Sequence, residues 1–363
     1  MDPKRALVHY FTGTGNTGYA VQRVADELAR AGYAVTQHRV ERKGAPLAGA
    51  FDLHLFAFPV YGFSAPALFL QYVQELPAPP AGTAAAILSI NGATMAGGNV
   101  MPGCSGGSME TVARALQGKG YDVFLTAAVS YPANWTQMMN PAGAADQQLI
   151  FAQAAAGVSA FAAKLLRHQS GRGGPGRMSS LVAGVVAFLF RFYGRRVLGK
   201  LYVADRRCTA CGLCVRNCPA GTIQMGGARP VWRGNCQACN RCINLCPTQA
   251  IQTSVVRLLV HGPVLALAEV VLAVLVVVYG WPLTSGWSPV ARAAAAVAAI
   301  GALLVVVSWL QLTLLEGALG WLERRPWLRP LFEMSFTRRF RRYLAPGFGS
   351  LPDDGHLNEP DGP

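Results

Sequence analysis

The sequence predicts three structural parts in succession: a doubly wound α/β sheet, a small cysteine-rich α+β module and a hairpin of two membrane-spanning helices. In residues 1–168, five apolar strand-like stretches alternate with helical patterns, and such alternation predicts a parallel sheet covered by helices. Two cysteine runs of identical spacing lie within residues 200–254. Two apolar stretches within residues 255–320 are each long enough to cross a bilayer as a helix.

The elements of the first part follow one another in a regular order. The predicted strands are Ala6–Phe11, Ala34–His38, Leu53–Phe58, Ala84–Ile90 and Val123–Val129. The predicted helices are Thr17–Ala31, Ala65–Glu75, Gly107–Gly118 and Ala145–Leu166. In an open parallel sheet, ligands bind at the carboxyl ends of the strands, near the point where the strand order reverses. The loops at those ends are therefore the candidate binding residues.

The loop after the first strand has the composition of a phosphate site. Its residues are Thr12, Gly13, Thr14, Gly15, Asn16 and Thr17. Small residues let the backbone curl around a phosphate, hydroxyls donate to it, and the following helix begins with free N–H groups and a positive dipole. The loop has no Walker A lysine, so nucleotide triphosphate hydrolysis fits poorly.

This loop resembles the phosphate loop of flavodoxins, and two later loops resemble those that sandwich a flavin ring. They contain Pro59, Tyr61 and Gly62 after the third strand, and Asn91, Gly92 and Ala93 after the fourth. The resemblance implies an FMN domain of sheet order 2-1-3-4-5, with Tyr61 stacked on the ring and residues 91–93 near its polar edge. Tyr61 could equally pack at a turn. The second loop lacks an aromatic residue, so one ring face would be open.

Two further features lie near the same edge of the sheet. The stretch Tyr131–Trp135 ends the fifth strand and points toward the expected cofactor face. Cys104 precedes a helix whose N-terminus would lower a thiol pKa. We interpret Cys104 as a small bystander residue, with a redox role as the alternative.

Eight of the nine cysteines form two runs that each read C-x2-C-x2-C-x3-C-P. The runs are Cys208, Cys211, Cys214 and Cys218, and Cys236, Cys239, Cys242 and Cys246. Each resembles the ligand run of bacterial ferredoxins with two 4Fe-4S clusters. The resemblance implies that the fourth cysteines are exchanged, so Cys246 joins the first three and Cys218 joins the second three. Structural zinc and disulfides are the alternatives, and neither requires this tandem run.

The positive charge is concentrated around the cysteines. The formal net charge is +14, and residues 171–254 carry 12 Lys and Arg against one acidic residue. This excess predicts docking of an acidic redox partner or contact with the anionic inner leaflet of a membrane. Nucleic acid is not an expected partner, because no aromatic residues interleave with the basic ones.

The connection between the two redox parts, residues 169–199, combines a joint and a short apolar stretch. Gln169–Arg177 is rich in glycine and should be flexible. Leu181–Phe192 is apolar but too short to span a bilayer. We expect it to brace the two domains, with an interfacial membrane helix as the alternative.

The apolar stretches Leu258–Tyr279 and Val290–Leu315 predict a transmembrane hairpin. The turn between them is uncharged, whereas residues 321–363 begin with many arginines and end, from Leu351, in a tail of disordered composition. The positive-inside rule then predicts a multi-pass protein of the bacterial inner membrane with its redox domains in the cytoplasm. A soluble helical hairpin is the alternative.

Three ionisable residues accompany these spans. Glu269 falls near the middle of the first one, where a carboxylate is costly. It either relays protons or contacts a quinone or partner, or it is a protonated acid bonded to the second helix. His261 and Glu316 lie near span ends and are expected to face lipid headgroups.

Together these features predict a membrane-anchored iron–sulfur flavoprotein that carries electrons between FMN, two 4Fe-4S clusters and a redox partner protein or a quinone. The alternative is an FMN-dependent oxidoreductase that acts directly on a hydrophobic substrate such as a quinone or tetrapyrrole. No acid–base pair or nucleophile stands beside the flavin loops, which favours the carrier. Catalytic residues, the partner and the direction of electron flow are not predicted.

Overall fold

The computed structural model describes residues 3–42, 47, 49–173 and 180–350. The tail from Leu351, part of the Gln169–Arg177 joint and the side chain of Glu269 lie outside the described residues. The expectations for these three features therefore stay predictions.

A parallel sheet forms the centre of the first part. Its strands are β1 (Arg5–Tyr10), β2 (Ala34–Arg39), β3 (Leu53–Pro59), β4 (Thr83–Ala96), β5 (Asn99–Met101), β6 (Tyr121–Pro132) and β7 (Gly171–Arg172). The main order is β2-β1-β3-β4-β6, with every neighbouring pair parallel. This is the predicted flavodoxin-like order 2-1-3-4-5. The short β7 adds a parallel edge beside β6.

Helices cover both faces of this sheet. They are α1 (Asn16–Arg30), α2 (Ala67–Glu75), α3 (Ser108–Gln117) and α4 (Ala144–Leu166). Val21 of α1 and Phe161 of α4 belong to the core on one face. Phe69 of α2 and Val112 of α3 belong to the core on the other. The apolar residues recur at helical spacing in each case, so one stripe of every helix is buried.

The fourth strand is longer than predicted. It continues beyond Ile90 to Ala96, and its end pairs antiparallel with β5. Gly97 and Gly98 both have positive φ, 57° and 78°, and make the tight turn of this hairpin. The stretch expected to be a flavin-binding loop is therefore largely a β-hairpin, and Ala93 within it is only 1% exposed.

A helical segment connects the sheet to the cysteine-rich part. It consists of α5 (Ser180–Leu189), a π-helical turn over Phe190–Gly194, and α6 (Arg195–Lys200). Phe190 lies against Gly62, where a Cβ would overlap its ring. The segment thus braces the first domain at one end, while Val185 and Phe188 of α5 are exposed.

The cysteine-rich part is a small α+β unit. Its elements are β8 (Tyr202–Ala204), α7 (Leu213–Arg216), β9 (Ile223–Gly226), β10 (Arg229–Trp232), α8 (Arg241–Leu245) and β11 (Ile251–Thr253). β8 pairs with β11 and β9 with β10, both antiparallel. Its core contains Tyr202, Trp232 and Ile243 among partly buried cysteines. Each cysteine loop is thus held between a strand and a short helix.

Two long apolar helices follow, α9 (Val255–Leu275) and α11 (Pro289–Leu310). The shorter helices α10 (Trp281–Leu283), α12 (Glu316–Glu323) and α13 (Arg329–Phe332) accompany them, with π-helical turns at Val276–Gly280 and Gln311–Leu315. By length and composition, two helices of the described residues could cross a membrane. One is α4, which packs in the core of the first domain. The other is Pro289–Glu323, with mean hydropathy 2.4 and no part of its most apolar window buried.

Candidate cofactor and cluster sites

A cavity of about 300 Å³ lies at the carboxyl end of the sheet, where the phosphate loop meets the third and fourth strands. Nine of the predicted cofactor residues line it: Thr12, Gly13, Thr14, Asn16, Thr17, Pro59, Tyr61, Asn91 and Gly92. Val60, Ile90 and Asn134 complete the wall. The sequence pattern had included Asn134 only as part of a stretch near this face. The fold therefore brings together loops that are far apart in sequence.

Three predicted cofactor residues do not line this cavity. Gly15 has φ 103° and faces Phe348 and Ala345. Gly62 is covered by Phe190. Ala93 is buried in the strand extension. A Cβ on either glycine would overlap the residue that covers it. The assignment of these three residues to the cofactor stays a prediction.

The cavity offers donors suited to an anionic phosphate. The Thr17 hydroxyl is buried and has no hydrogen-bond partner among the described residues. The first backbone N–H groups of α1, which begins at Asn16, have no partner within the helix. A phosphate would satisfy both kinds of donor and would sit at the positive end of the helix dipole. These residues therefore fit the phosphate of a flavin mononucleotide.

The side chain of Asn16 is held by the protein itself. Its amide nitrogen donates to the Pro132 carbonyl oxygen at 3.0 Å, and its oxygen accepts from the Tyr343 hydroxyl. The backbone N–H of Ala345 also donates to the Thr14 carbonyl oxygen at 2.8 Å. Residues 343–348, which we call the C-terminal strap, thus close the outer side of the phosphate loop. No periodicity or motif in the sequence signalled this contact.

Two further cavities are each lined by four cysteines. The inner cage, of about 320 Å³, has Cys218, Cys236, Cys239 and Cys242 in its wall. The outer cage, of about 360 Å³, has Cys208, Cys211, Cys214 and Cys246. These are the two groupings that the resemblance to two-cluster ferredoxins implied, with the fourth cysteine of each run exchanged. Each cage gathers four thiols around one space.

The size of these cages matters for the kind of metal. Four thiolates on one zinc ion lie about 3.8 Å apart, since each Zn–S bond is about 2.3 Å. Among the described residues, no three His, Cys, Asp or Glu side chains gather closely enough for a single ion. The tandem C-x2-C-x2-C-x3-C-P spacing, which structural zinc does not need, favours clusters.

The two cysteine runs repeat the same backbone conformation. Each run has three residues with a positive φ: Ala210, Gly212 and Gly221 in the first run, and Ala238, Asn240 and Gln249 in the second. All six residues have φ between 51° and 72°. Left-handed residues turn backbone N–H groups inward, and the N–H groups of Ala238 and Ala250 lie 3.3 Å from the sulfurs of Cys236 and Cys246. The two cysteine runs therefore repeat each other in backbone conformation as well as in sequence.

Burial distinguishes the inner cage from the outer cage. Cys236 and Cys239 are 6% and 9% exposed, whereas Cys211 is exposed. Burial raises the pKa of the Cys236 thiol to about 12 and that of Cys239 to about 11. Metal ligation needs the thiolate, so loading this cage releases protons.

Arg195 supplies positive charge to the inner cage. Its guanidinium donates to the Cys236 carbonyl oxygen at 2.8 Å. Burial lowers the pKa of Arg195 to about 10, with the neighbouring Arg196 acting in the same direction. At neutral pH this side chain is therefore still a cation, and it offsets part of the negative charge that four thiolates bring.

The inner cage packs directly on the phosphate loop. A Cβ on Gly13 would lie 2.7 Å from the Cys239 carbonyl oxygen and would also overlap the Tyr61 hydroxyl. Cys239 itself belongs to one of the apolar cores of the first domain. Tyr61 is half-buried, but its hydroxyl is buried in this contact. Burial raises the pKa of that hydroxyl well above the usual range, with Cys239 adding to the effect. Tyr61 therefore lies between the cofactor cavity and the inner cage.

Arg241 fixes this contact from the cluster side. It donates to the Gly13 and Thr12 carbonyl oxygens at 3.0 and 2.7 Å. It also forms a 3.0 Å ion pair with Glu41, and its side chain is 5% exposed. The sequence pattern gave Arg241 no role, since it lies between two ligand cysteines and its partners in the first domain are 200 or more residues away.

A second set of hydrogen bonds joins the two domains around Gln137. The Asn240 side-chain oxygen accepts from the Gln137 backbone N–H at 3.1 Å. The Thr253 hydroxyl donates to the Gln137 carbonyl oxygen at 2.8 Å. Both residues of the cysteine-rich part are buried, so these bonds form away from water, where unmade ones are costly.

The expectation that His261 and Glu316 face headgroups is wrong. His261 is 1% exposed, and its Nε2 lies 3.3 Å from the Glu316 carboxylate. Glu316 also accepts two hydrogen bonds of 2.9 Å from Arg257. The charge of Arg257 draws the carboxylate inward, because a buried guanidinium needs a partner.

Cys104 lies at the N-terminal side of α3, partly buried, and its sulfur accepts from the Gly106 backbone N–H at 3.4 Å. It does not line the cofactor cavity or either cage. Its interpretation as a bystander stays a prediction.

Comparison with known proteins supports this division of the chain. Residues 207–256 match the family model of the 4Fe-4S dicluster domain. The search of curated protein sequences finds no significant match.

Similar solved structures include flavodoxins. Megasphaera elsdenii flavodoxin is 21% identical over 34% of this chain and 85% of its own, with a TM-score of 0.27. Flavodoxin 2 of Bacillus cereus is 16% identical over 44% of this chain and 99% of its own, with a TM-score of 0.30. These scores are low, and the fold of the first domain rests on its strand order. The chain therefore contains a flavodoxin-like doubly wound domain followed by a 4Fe-4S dicluster domain.

Proposed function

We propose that this chain is a membrane-anchored iron–sulfur flavoprotein that carries electrons between FMN and two 4Fe-4S clusters, to or from a redox partner. The observation that carries this proposal is the contact of the phosphate loop with the inner cage. Gly13 approaches the Cys239 carbonyl oxygen so closely that a Cβ there would not fit. Two cofactor sites in direct contact are suited to electron transfer between the cofactors rather than to two separate reactions.

Different residues would bind the flavin and the two clusters. The Thr17 hydroxyl and the N-terminal N–H groups of α1 would bind the phosphate, and the eight cage cysteines would bind iron as thiolates. When bound, a flavin exchanges one or two electrons, whereas each cluster exchanges one at a time. Arg241 keeps the two sites at a fixed separation through its bonds to Gly13 and Thr12.

The outer cage is the candidate exchange point with a partner protein. Cys211 is exposed at its rim, and Arg206 and Arg216 nearby are exposed as well. A positive rim around an accessible cluster would attract an acidic protein and raise its rate of encounter.

Membrane anchoring rests on the long apolar helices. Pro289–Glu323 is exposed along its most apolar window. The described side chains of α9 include exposed Leu267, Val270 and Val274, and those of α5 include exposed Phe188. Contiguous exposed apolar surface of this extent is typical of contact with lipid. We infer a two-span anchor, with α5 against the same bilayer and the arginines after α12 on the cytoplasmic side.

The alternative, a flavoenzyme acting directly on a hydrophobic compound such as a tetrapyrrole, requires an open flavin face. Here the Tyr61 hydroxyl is buried and the cluster domain packs against the phosphate loop. This arrangement favours the carrier. Substrate turnover by the purified protein without any partner would reverse that preference.

Anaerobic purification from the membrane fraction in detergent tests the proposal. We expect about eight irons and one FMN per chain, because each of two clusters holds four irons. A redox titration followed by optical and electron spin resonance spectra should resolve all three centres. Protein recovered from the soluble fraction, or free of flavin and iron, contradicts the proposal.

The substitution Thr17→Val tests the flavin site itself. It removes a buried hydroxyl that has no partner among the described residues while keeping the side-chain volume. We expect FMN affinity to fall about tenfold, the effect of one hydrogen bond to a charged group. Thr111→Val on α3, whose hydroxyl donates to the Gly107 carbonyl oxygen, is the matched control and should leave FMN affinity unchanged.

A further inference from the structure

A third kind of cavity lies between the inner cage and the long helices. It is an open groove that holds about 280 Å³ of space, part of it open to solvent, and its wall includes Lys200, Val231, Trp232, Arg257, Glu316 and Glu323. A ligand would reach the charged wall from the open side.

The charges around this cavity cancel. Arg257 bonds the Glu316 carboxylate at 2.9 Å and pairs with Glu323, while Lys200 lies 3.7 Å from Glu316. Two cations therefore face two carboxylates, and a charged ligand would upset the balance. A neutral ligand suits this site better.

One donor in the wall has no acceptor. Arg257 is 4% exposed, and its Nε is buried without a hydrogen-bond partner among the described residues. Lys200 uses one N–H on the Trp232 carbonyl oxygen at 2.9 Å, and an ammonium group has three. The cavity thus presents donors to a neutral molecule that carries an acceptor, such as a ketone oxygen.

A series of hydrogen-bonded side chains leads away from the cavity. Glu316 lies 3.3 Å from His261 Nε2, and His261 Nδ1 lies 3.0 Å from Gln311 Nε2. The hydroxyl of Tyr193 donates to the other end of Gln311. A carboxylate and an imidazole in contact can pass protons to a bound acceptor.

The position of the cavity relates it to both the inner cage and the membrane helices. Tyr202 and Trp232 line the cavity on one side and the inner cage on the other. Arg257 belongs to α9, and Glu316 and Glu323 belong to α12. A ligand here would lie one residue layer from the inner cage, at the base of the apolar helices.

We propose that this cavity binds the head group of a membrane quinone, with one ketone oxygen accepting from Arg257 Nε and Lys200 Nζ. The inference rests on the proposed function, since it assigns a substrate class to the same chain. Conversion of a quinone to a quinol takes two electrons and two protons. A reduced iron–sulfur cluster is the reductant, one electron at a time, and the Glu316–His261 pair passes the protons from water to the two quinone oxygens.

Binding of decylubiquinone to the full-chain holoprotein in detergent, measured by calorimetry, tests this proposal. Lys200→Met should weaken binding about tenfold by removing one charged donor, while Lys200→Arg should preserve it. Val231 is 44% exposed at the rim. Val231→Trp should therefore block the cavity and weaken binding at least as much, whereas Val231→Ala should bind as the parent does. Iron content, measured for each variant, checks that the cages are intact.

The second measurement is reoxidation of the reduced clusters by decylubiquinone, followed optically. The Val231→Trp protein should reoxidise at least about tenfold more slowly, in proportion to its lost binding. Full iron and FMN with no quinone binding, or binding and reoxidation unchanged in both Lys200→Met and Val231→Trp, would overturn the quinone site and leave the electron-carrier proposal standing. Protein without iron or flavin would refute the proposed function, and with it the reason for a quinone here.

Discussion

The inner and outer cages are built on the same loop, yet their surroundings differ. Both have left-handed residues at the same three positions of the run. The outer loop has Gly212 and Leu213 after its second cysteine, whereas the inner loop has Asn240 and Arg241 at the equivalent places. Those two side chains make the inner loop a docking surface for the first domain. The outer loop lacks both side chains, and in the proposed function it is the exchange point with a partner protein.

This comparison shows that the cysteines of the motif determine the cluster, whereas the residues between them determine which surface the loop contacts. The cysteine spacing requires the left-handed turns, but it leaves the residues between the cysteines free to vary. A polar or charged residue there adds hydrogen bonds outward without disturbing the ligands. The predictions below test whether Asn240 and Arg241 have this role.

Replacing Arg241 by leucine, the residue of the outer loop, should have the largest effect. It removes a buried cation that bonds two carbonyl oxygens and pairs with Glu41. Breaking a buried pair costs about 3–5 kcal/mol, so the flavodoxin-like and dicluster domains should separate more readily. Calorimetry should show the apparent Tm of the holoprotein falling by about 5–10 °C.

The control for this change is Arg206→Leu, which removes the same charge from an exposed position in the outer loop. Its effect on stability should lie within about 0.5 kcal/mol, as for most surface substitutions. Equal losses of Tm in the two variants would mean that Arg241 acts through net charge and not through docking.

Asn240→Gly makes the inner loop match the outer one at the left-handed position. The substitution removes the acceptor for the Gln137 N–H and for the Tyr202 hydroxyl. Each lost bond costs about 1 kcal/mol, while glycine relieves about 1 kcal/mol of strain at φ 57°. We expect a net loss of about 1–2 kcal/mol in chemical denaturation. A gain in stability would show that these bonds contribute nothing to docking.

The two cages should also lose their iron at different rates. Mild oxidation with a chelator should release half of the iron about tenfold faster than the other half, because exposed cysteines react first. Alkylation followed by mass spectrometry assigns the order, and Cys211 should be modified before Cys236 and Cys239. Burial raises the pKa of these two thiols to about 12 and 11, so once their iron is lost they should react only slowly at pH 8. A single phase of iron loss would contradict the difference in burial.

Features of this structure that depend on neighbouring residues in the sequence could be predicted, whereas features that depend on distant residues could not. Strands such as Leu53–Pro59 are apolar apart from His54, and the alternation of strands and helices predicted a doubly wound sheet, whose order the flavodoxin resemblance implied. The eight cysteines carry their own spacing, so both cages could be anticipated as well. The hairpin after Ile90 was missed because a strand that leaves the core loses its apolar pattern, and only Gly97-Gly98 signalled the turn.

The contacts between domains were not predictable. Arg241 bonds residues 228 and 229 positions away, and Tyr343 bonds Asn16 across 327. The sequence around a single arginine or tyrosine does not indicate whether its side chain is exposed to water or contacts another domain. The same holds for His261 and Glu316, whose burial depends on Arg257 being placed between them and Glu323.

The smallest expected effect concerns the charge around the outer cage. Arg206→Gln combined with Arg216→Gln removes two exposed cations beside the cysteines. Electron exchange with a small acidic protein such as a flavodoxin should slow by roughly threefold at low salt, since fewer charges steer the encounter. The difference should vanish as salt rises, because screening acts over about 10 Å at 0.1 M. Removing Arg23 and Arg114, which are exposed on the flavodoxin-like domain, is the matched control. Equal slowing by that pair would mean that the partner responds to the whole protein's charge and does not dock at the outer cage.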